Sequence, residues 1–141
     1  ARAAEIGRVK AIHGVAILYD GHSIRSLIPF LFEGRLPDFN VGTDMGRTCD
    51  KAIETATYEA CASAEGYTSI LNGRFKGGWT TRHYGRPETG VHAIQMELAQ
   101  VSHLATEVVP FDLDEAKAAK LRIPRKDILQ RIEALASTLT R

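Results

Sequence analysis

Hydrophobic positions along the chain change their period several times, and each change marks an element. "ARAAEIGRVKAIHG" spaces its apolar residues like a helix that Gly14 closes as a C-cap, yet no Ser, Thr, Asp or Asn precedes it to cap its start. It reads as an element begun partway. "VAILYD" (15–20) is an unbroken apolar run ending in a polar turn, the pattern of a strand buried on both faces and central in its sheet. Residues 21–46 scatter Pro29, Pro37 and four glycines among short apolar pieces, which predicts a long irregular excursion with a brief strand near Phe39–Val41. Residues 49–65 carry alanines and Ile53 at helical spacing and stop at Gly66. Three strands follow at 67–73, 79–85 and 91–98, and residues 125–140 close the chain as an amphipathic helix through Ile128, Leu129, Ile132, Leu135, Ala136 and Leu139. Strands and helices interleave, so the fold class is α/β.

Composition narrows the partners. A chain of 141 residues, 44% hydrophobic and 25% charged, fits one domain with no internal linker. Its net charge of +1, with basic residues scattered, gives no footprint for nucleic acid or an acidic membrane surface. No apolar run is long enough to span a bilayer and no signal-peptide pattern opens the sequence, which predicts a soluble protein. Cys49 and Cys61 are too few for a disulfide framework and too far apart for a metal knuckle; they read as reduced, buried thiols on one helix of a cytoplasmic protein.

The polar residues left over carry the chemistry. Asp20, Gly21 and His22 fall just past the first strand, where open α/β sheets bind ligands. His22 could offer a ring nitrogen to a metal while Asp20 orients the ring, or could be an ordinary hydrogen-bonded loop imidazole. In the strand 91–98, Val91, Ala93, Gln95 and Glu97 share one face, which sets the Glu97 carboxylate among residues fit for burial. Such a group is either ion-paired, here with Arg82 or Arg86, or a general base. Arg82 and Arg86 themselves suit bidentate recognition of carboxylates, or are surface arginines. Arg74 and Lys76 lie in a glycine-rich loop that could solvate or could let backbone approach a ligand.

"YDGHSIRS", "LPDFNVGT" and "NGRFKGGWTTRHYGRPETGVHAIQMELAQ", in that order, resemble the bacterial N-formylglutamate amidohydrolases, zinc enzymes that release formate and L-glutamate late in histidine degradation. The resemblance covers nearly the whole chain. It implies a fold similar to the zinc carboxypeptidases, a mixed sheet flanked by helices, incomplete here at the amino terminus because the sequence resembles the family's carboxyl-terminal half. It implies that His22 is one ligand of Zn2+, that Glu97 activates the metal-bound water, and that Arg82 and Arg86 contact the carboxylates of N-formyl-L-glutamate. "VGTDMG" departs from the family's form, so Thr43 and Asp44 receive no role.

Ligand arithmetic bears on that expectation. Hydrolytic zinc normally takes three protein ligands and water, yet no H-E-x-x-H pair occurs, and His13, His83, His92 and His103 show no ligand spacing. The 141 residues alone are therefore expected to be inactive and to bind zinc poorly. A sheet lacking its other half should expose an edge or face near 15–20 and lead either to self-association or to marginal stability. Two other classes compete with the hydrolase: an anion-binding domain without chemistry, and an interaction domain that packs on a partner.

Overall fold

The computed structural model describes residues 1–139 and contains four helices around a four-stranded mixed sheet. Helix α1 (Arg2–His13) ends where Gly14 turns left-handed and returns its N–H to the Lys10 carbonyl, and no side chain caps its start. Strand β1 (Ala16–Ile24) follows directly. After an irregular stretch come β2 (Phe39–Gly42), α2 (Lys51–Ala62), β3 (Ser69–Leu71), α3 (Trp79–Tyr84), β4 (Val91–Ala99) and α4 (Glu115–Ala136). Short 3-10 turns cover Pro87–Thr89, Gln100–Ser102 and Ser137–Leu139. Thr140, at the end of the expected closing helix, lies outside the described residues.

Sheet order is β1-β4-β2-β3, with β1 parallel to β4, β2 antiparallel to β4 and β3 parallel to β2. The central strand expected at 15–20 is therefore an edge strand. β4 takes the interior place, with every residue from His92 to Ala99 buried. Ile17, Leu18 and Tyr19 are only half-buried at that edge. α1 gives little cover, since none of its residues is buried.

One face of the sheet carries the core. Val41 and Met96 are cross-strand partners, as are Phe39 and Leu98, and with Ile94 they meet Ile53 and Cys61 of α2 and Leu121 and Ile128 of α4. Each such side chain contributes about 1.5–3 kcal/mol through burial. Helix α2 forms because Asp50 accepts the Ala52 N–H as N-cap and because Ile53, Thr57, Ala60 and Cys61 repeat at i, i+4, i+7 and i+8. It stops at Ala62 rather than Gly66, and Cys49 precedes it; both cysteines are free and buried.

Two expected elements differ outright. Residues 79–85 form a short helix, not a strand: Arg82 and Gly85 donate back to the carbonyls of Gly78 and Thr81. The aromatic and β-branched residues that suggested a strand are overruled by tertiary fit, because Thr81 is completely buried and Gly85 passes so close to Thr48 that a Cβ would lie 2.6 Å from its carbonyl oxygen. The last helix begins ten residues earlier than expected, at Glu115, where Asp114 caps it, and runs through Pro124. Among the described residues no helix is long and apolar enough to cross a membrane.

Candidate active site

The opposite face of the sheet is polar. Register sets His22 beside Glu97 and Asp20 beside Gln95, and in turn Glu97 opposite Asn40 and Gln95 opposite Gly42. Because side chains alternate, all six positions share the face turned away from α2 and α4. Residues 76–84 lie over it. A Cβ on Gly42 would meet the Lys76 carbonyl carbon at 2.7 Å, so only glycine lets that segment approach. Gly78 then donates its N–H to Gln95 Oε1 at 2.6 Å, fixing the start of α3 above the strand.

Three predicted residues come together here. His22 Nε2 lies 3.1 Å from Asp20 Oδ1, and Thr81 Oγ1 donates to Asp20 Oδ2 at 3.3 Å, so one carboxylate ties the imidazole to α3. The His22 side chain remains 49% exposed while Glu97 is 7% exposed, which puts an accessible imidazole beside a buried carboxylate. Burial pushes the Glu97 carboxyl above the usual glutamate range; the His22 charge pulls it back and the Asp20 charge reinforces the rise. No ion pair joins Glu97 to Arg82 or Arg86 among the described residues.

The two arginines part company. Arg82 follows the buried Thr81, donates from Nε to the Gly78 carbonyl at 3.3 Å, and stands near enough to Asp44 to help lower its pKa, behind the larger effect of Arg47. Arg86 is bridged through its backbone to Val91, at the far end of β4. Six residues of strand separate Val91 from Glu97, roughly 20 Å at about 3.3 Å each. Arg86 thus sits away from the His22–Glu97 cluster.

Thr43 and Asp44 have structural work. Thr43 is fully buried, donates to Glu54 Oε2 at 2.5 Å and accepts from Asn72 Nδ2 at 2.9 Å. Asp44 and Met45 both adopt positive φ, and Asp44 holds Arg47 through two 3.1 Å hydrogen bonds. The remaining imidazoles are dispersed. His92 accepts from the Asp50 N–H, His83 stacks on Trp79, and His103 meets Ser102.

Sequence reasoning missed Thr81, Gln95 and Asn40. Gln95 had a signal, two residues before Glu97 on its face; Thr81 had none while its segment read as a strand. As a zinc centre the donor set is incomplete. Among the described residues no group of three or more His, Cys, Asp and Glu side chains is placed to hold a metal ion. Asp20 and His22 give only the carboxylate–imidazole pairing in which one ring nitrogen is oriented and the other is left for a ligand.

Fold and face together define an α/β domain that gathers an oriented imidazole and a buried carboxylate towards the carboxyl ends of two parallel strands, where such sheets take ligands. Residues 1–104 match the family model of N-formylglutamate amidohydrolase, and the chain belongs to that family. It is 55% identical over 124 residues to N-formylglutamate deformylase of Pseudomonas aeruginosa, covering 85% of this chain and 46% of that protein. The N-formylglutamate deformylase of Pseudomonas putida is 47% identical over 130 residues, covering 92% and 48%. The chain thus spans about half the length of these relatives. The crystal structure of N-formylglutamate amidohydrolase from Ralstonia eutropha JMP134 superposes with a TM-score of 0.76 at 20% identity, over 97% of this chain and 49% of that one, a likeness of fold.

Proposed function

We propose that this chain carries the base-bearing part of an amidohydrolase that converts N-formyl-L-glutamate to formate and L-glutamate in the cytoplasm. Family membership supports the substrate. The observation that carries the chemistry is the adjacency of His22 and Glu97 on parallel strands, with Asp20 against His22. Glu97 takes a proton from the attacking water and gives it to the departing amine, a task suited to a carboxyl whose pKa is raised by burial. Asp20, steadied by Thr81, holds the imidazole in one orientation. Arg82, next to Thr81 on α3, receives a substrate carboxylate and fixes the formamide over Glu97.

Zn2+ belongs to the same proposal, with His22 as one ligand and the other donors outside the described residues; when bound it would polarise the formyl carbonyl. A zinc-carboxypeptidase-like fold for the longer protein follows from the same reading. The direct test is Glu97→Gln in the longer protein. The substitution keeps the shape of the side chain, and kcat should fall about 10²–10⁴-fold with KM little changed. Near-normal kcat would remove Glu97 from this role.

A further inference from the structure

The other face of β1 holds a cavity of about 350 Å³, walled by β1, the end of β4, His103 and α4. Its size falls within the range of small-molecule sites, roughly 300–1,000 Å³. The residues that line it include Arg122, Arg125, His103, Tyr19 and Ser23, with His22 at the shared wall, and no Asp or Glu. Arg122 and Arg125 stand three apart on α4 and so face the same way, above a floor of Ala118 and Leu121. Neither guanidinium is ion-paired with a carboxylate among the described residues. Arg125 reaches both polar walls. The Tyr19 hydroxyl is pushed up to about 12, mainly by burial, against the pull of Arg125; the His103 pKa is lowered by burial and then by the same guanidinium. Glu107, the carboxylate whose charge reaches His103, is outside the lining and accepts the Ser26 N–H at 2.6 Å.

We propose that this cavity is a binding site for a small oxyanion, a carboxylate or phosphate of amino-acid size, held by Arg122 and Arg125 with Tyr19 and His103 as further polar contacts. Cationic groups converge on a concave space that contains no counter-charge, and guanidinium forks match the two oxygens of such an anion. The site meets the face bearing Asp20 and Glu97 only at His22, its arginines lie on the other side, and it does not depend on the hydrolase reading.

The test is nuclear magnetic resonance titration of the 141-residue chain, with L-glutamate in one arm and inorganic phosphate in the other. Saturable shifts at Tyr19, Ser23 and His103 are expected with at least one probe, and the probe that binds more tightly identifies the source of the oxyanion. Arg122→Gln and Arg125→Gln should each weaken binding at least about tenfold, since each removes a charge-assisted fork. Both side chains are exposed, so these changes leave the core intact, which circular dichroism verifies. Arg125→Lys keeps charge without the fork and should bind with intermediate strength. Lys126→Gln, exposed on the same helix but outside the cavity lining, should bind like the parent. Absence of saturable shifts with both probes, affinity unchanged in the Arg122 and Arg125 variants, or loss of binding in Lys126→Gln would each overturn the assignment.

Discussion

Replacing Glu54 by Gln should destabilise the protein near neutral pH and cease to do so in acid. Glu54 is 3% exposed on α2, where it accepts from Thr43 Oγ1 and from Lys51 Nζ, each at 2.5 Å. Burial works against its ionised form, but hydrogen bonds from Lys51 and Thr43 together outweigh it, so the carboxyl sits below the ordinary glutamate value. A buried bond to a charged group is worth about 1.5–3 kcal/mol. The Lys51 contact adds at most a few tenths, because its side chain is 80% exposed and solvent screens it. Glutamine keeps one acceptor but loses the charge and turns an NH2 group towards one of the two donors, for a net loss of about 1–3 kcal/mol. For a chain of this length that is a fall in Tm of roughly 3–10 °C. A carboxyl whose folded pKa is depressed contributes stability above its unfolded pKa and loses it as the pH drops through the folded one. The gap between parent and variant should therefore close on acidification, as Glu54 itself becomes neutral. Thermal unfolding followed by circular dichroism across that range is the assay. A variant as stable as the parent at neutral pH, or a gap that persists undiminished in acid, would refute the view that this carboxylate anchors the Thr43 loop as an ion.

Three further outcomes are expected. In the hydrolase proposed above, Arg82→Ala should raise KM for N-formylglutamate about tenfold or more, while Arg86→Ala should stay within about twofold because its backbone is tied to the distant end of β4; equal losses would contradict the separation. After chelator treatment and zinc re-addition, elemental analysis of the 141-residue chain should find well under about one tightly held zinc per chain, since a single imidazole beside carboxylates is too few donors; one retained zinc would show a ligand set that the described residues lack. Gly42→Ala should cost about 1–3 kcal/mol in urea unfolding, because the new methyl meets backbone of Lys76 and Gly77 rather than a side chain that can swing away; an unchanged midpoint would mean that segment 76–78 is not fixed against β2.

What the sequence disclosed depended on how local the cause was. β4 and the shared face of Gln95 and Glu97 were legible because alternation along a strand is an intrinsic period of two, whatever its neighbours. The Gly14 stop was legible because a left-handed C-cap is a property of one residue. The position of β1 was not, since an apolar run announces burial while sheet order depends on pairings far along the chain. α3 was misread because Trp79, Thr80, Thr81 and Tyr84 favour strands, and the contact that overrides them, Thr81 to Asp20, spans 61 residues. The early start of α4 hid behind the lysines and arginines of 115–125 and behind Pro124, which removes one helical hydrogen bond without ending the helix. Of the candidate site, the types and faces of His22, Asp20 and Glu97 were readable; their meeting, and the departure of Arg86, follow from the parallel register and from the Arg86–Val91 bridge.

That register has a consequence for how the site could fail. Among the described residues β4 is the one strand that pairs with β1, whose nine residues are matched one to one from Ala16 opposite Val91 to Ile24 opposite Ala99. Sliding β1 by a single position would invert it, turning Asp20 and His22 towards α4 and presenting Gly21 and Ser23 to Glu97. No gradual loosening connects the two arrangements, so the histidine and the carboxylate are neighbours or are on opposite sides of the sheet. A strand that paired with the open side of β1 would fix that alignment from the edge, without a single side-chain contact to His22 or Glu97.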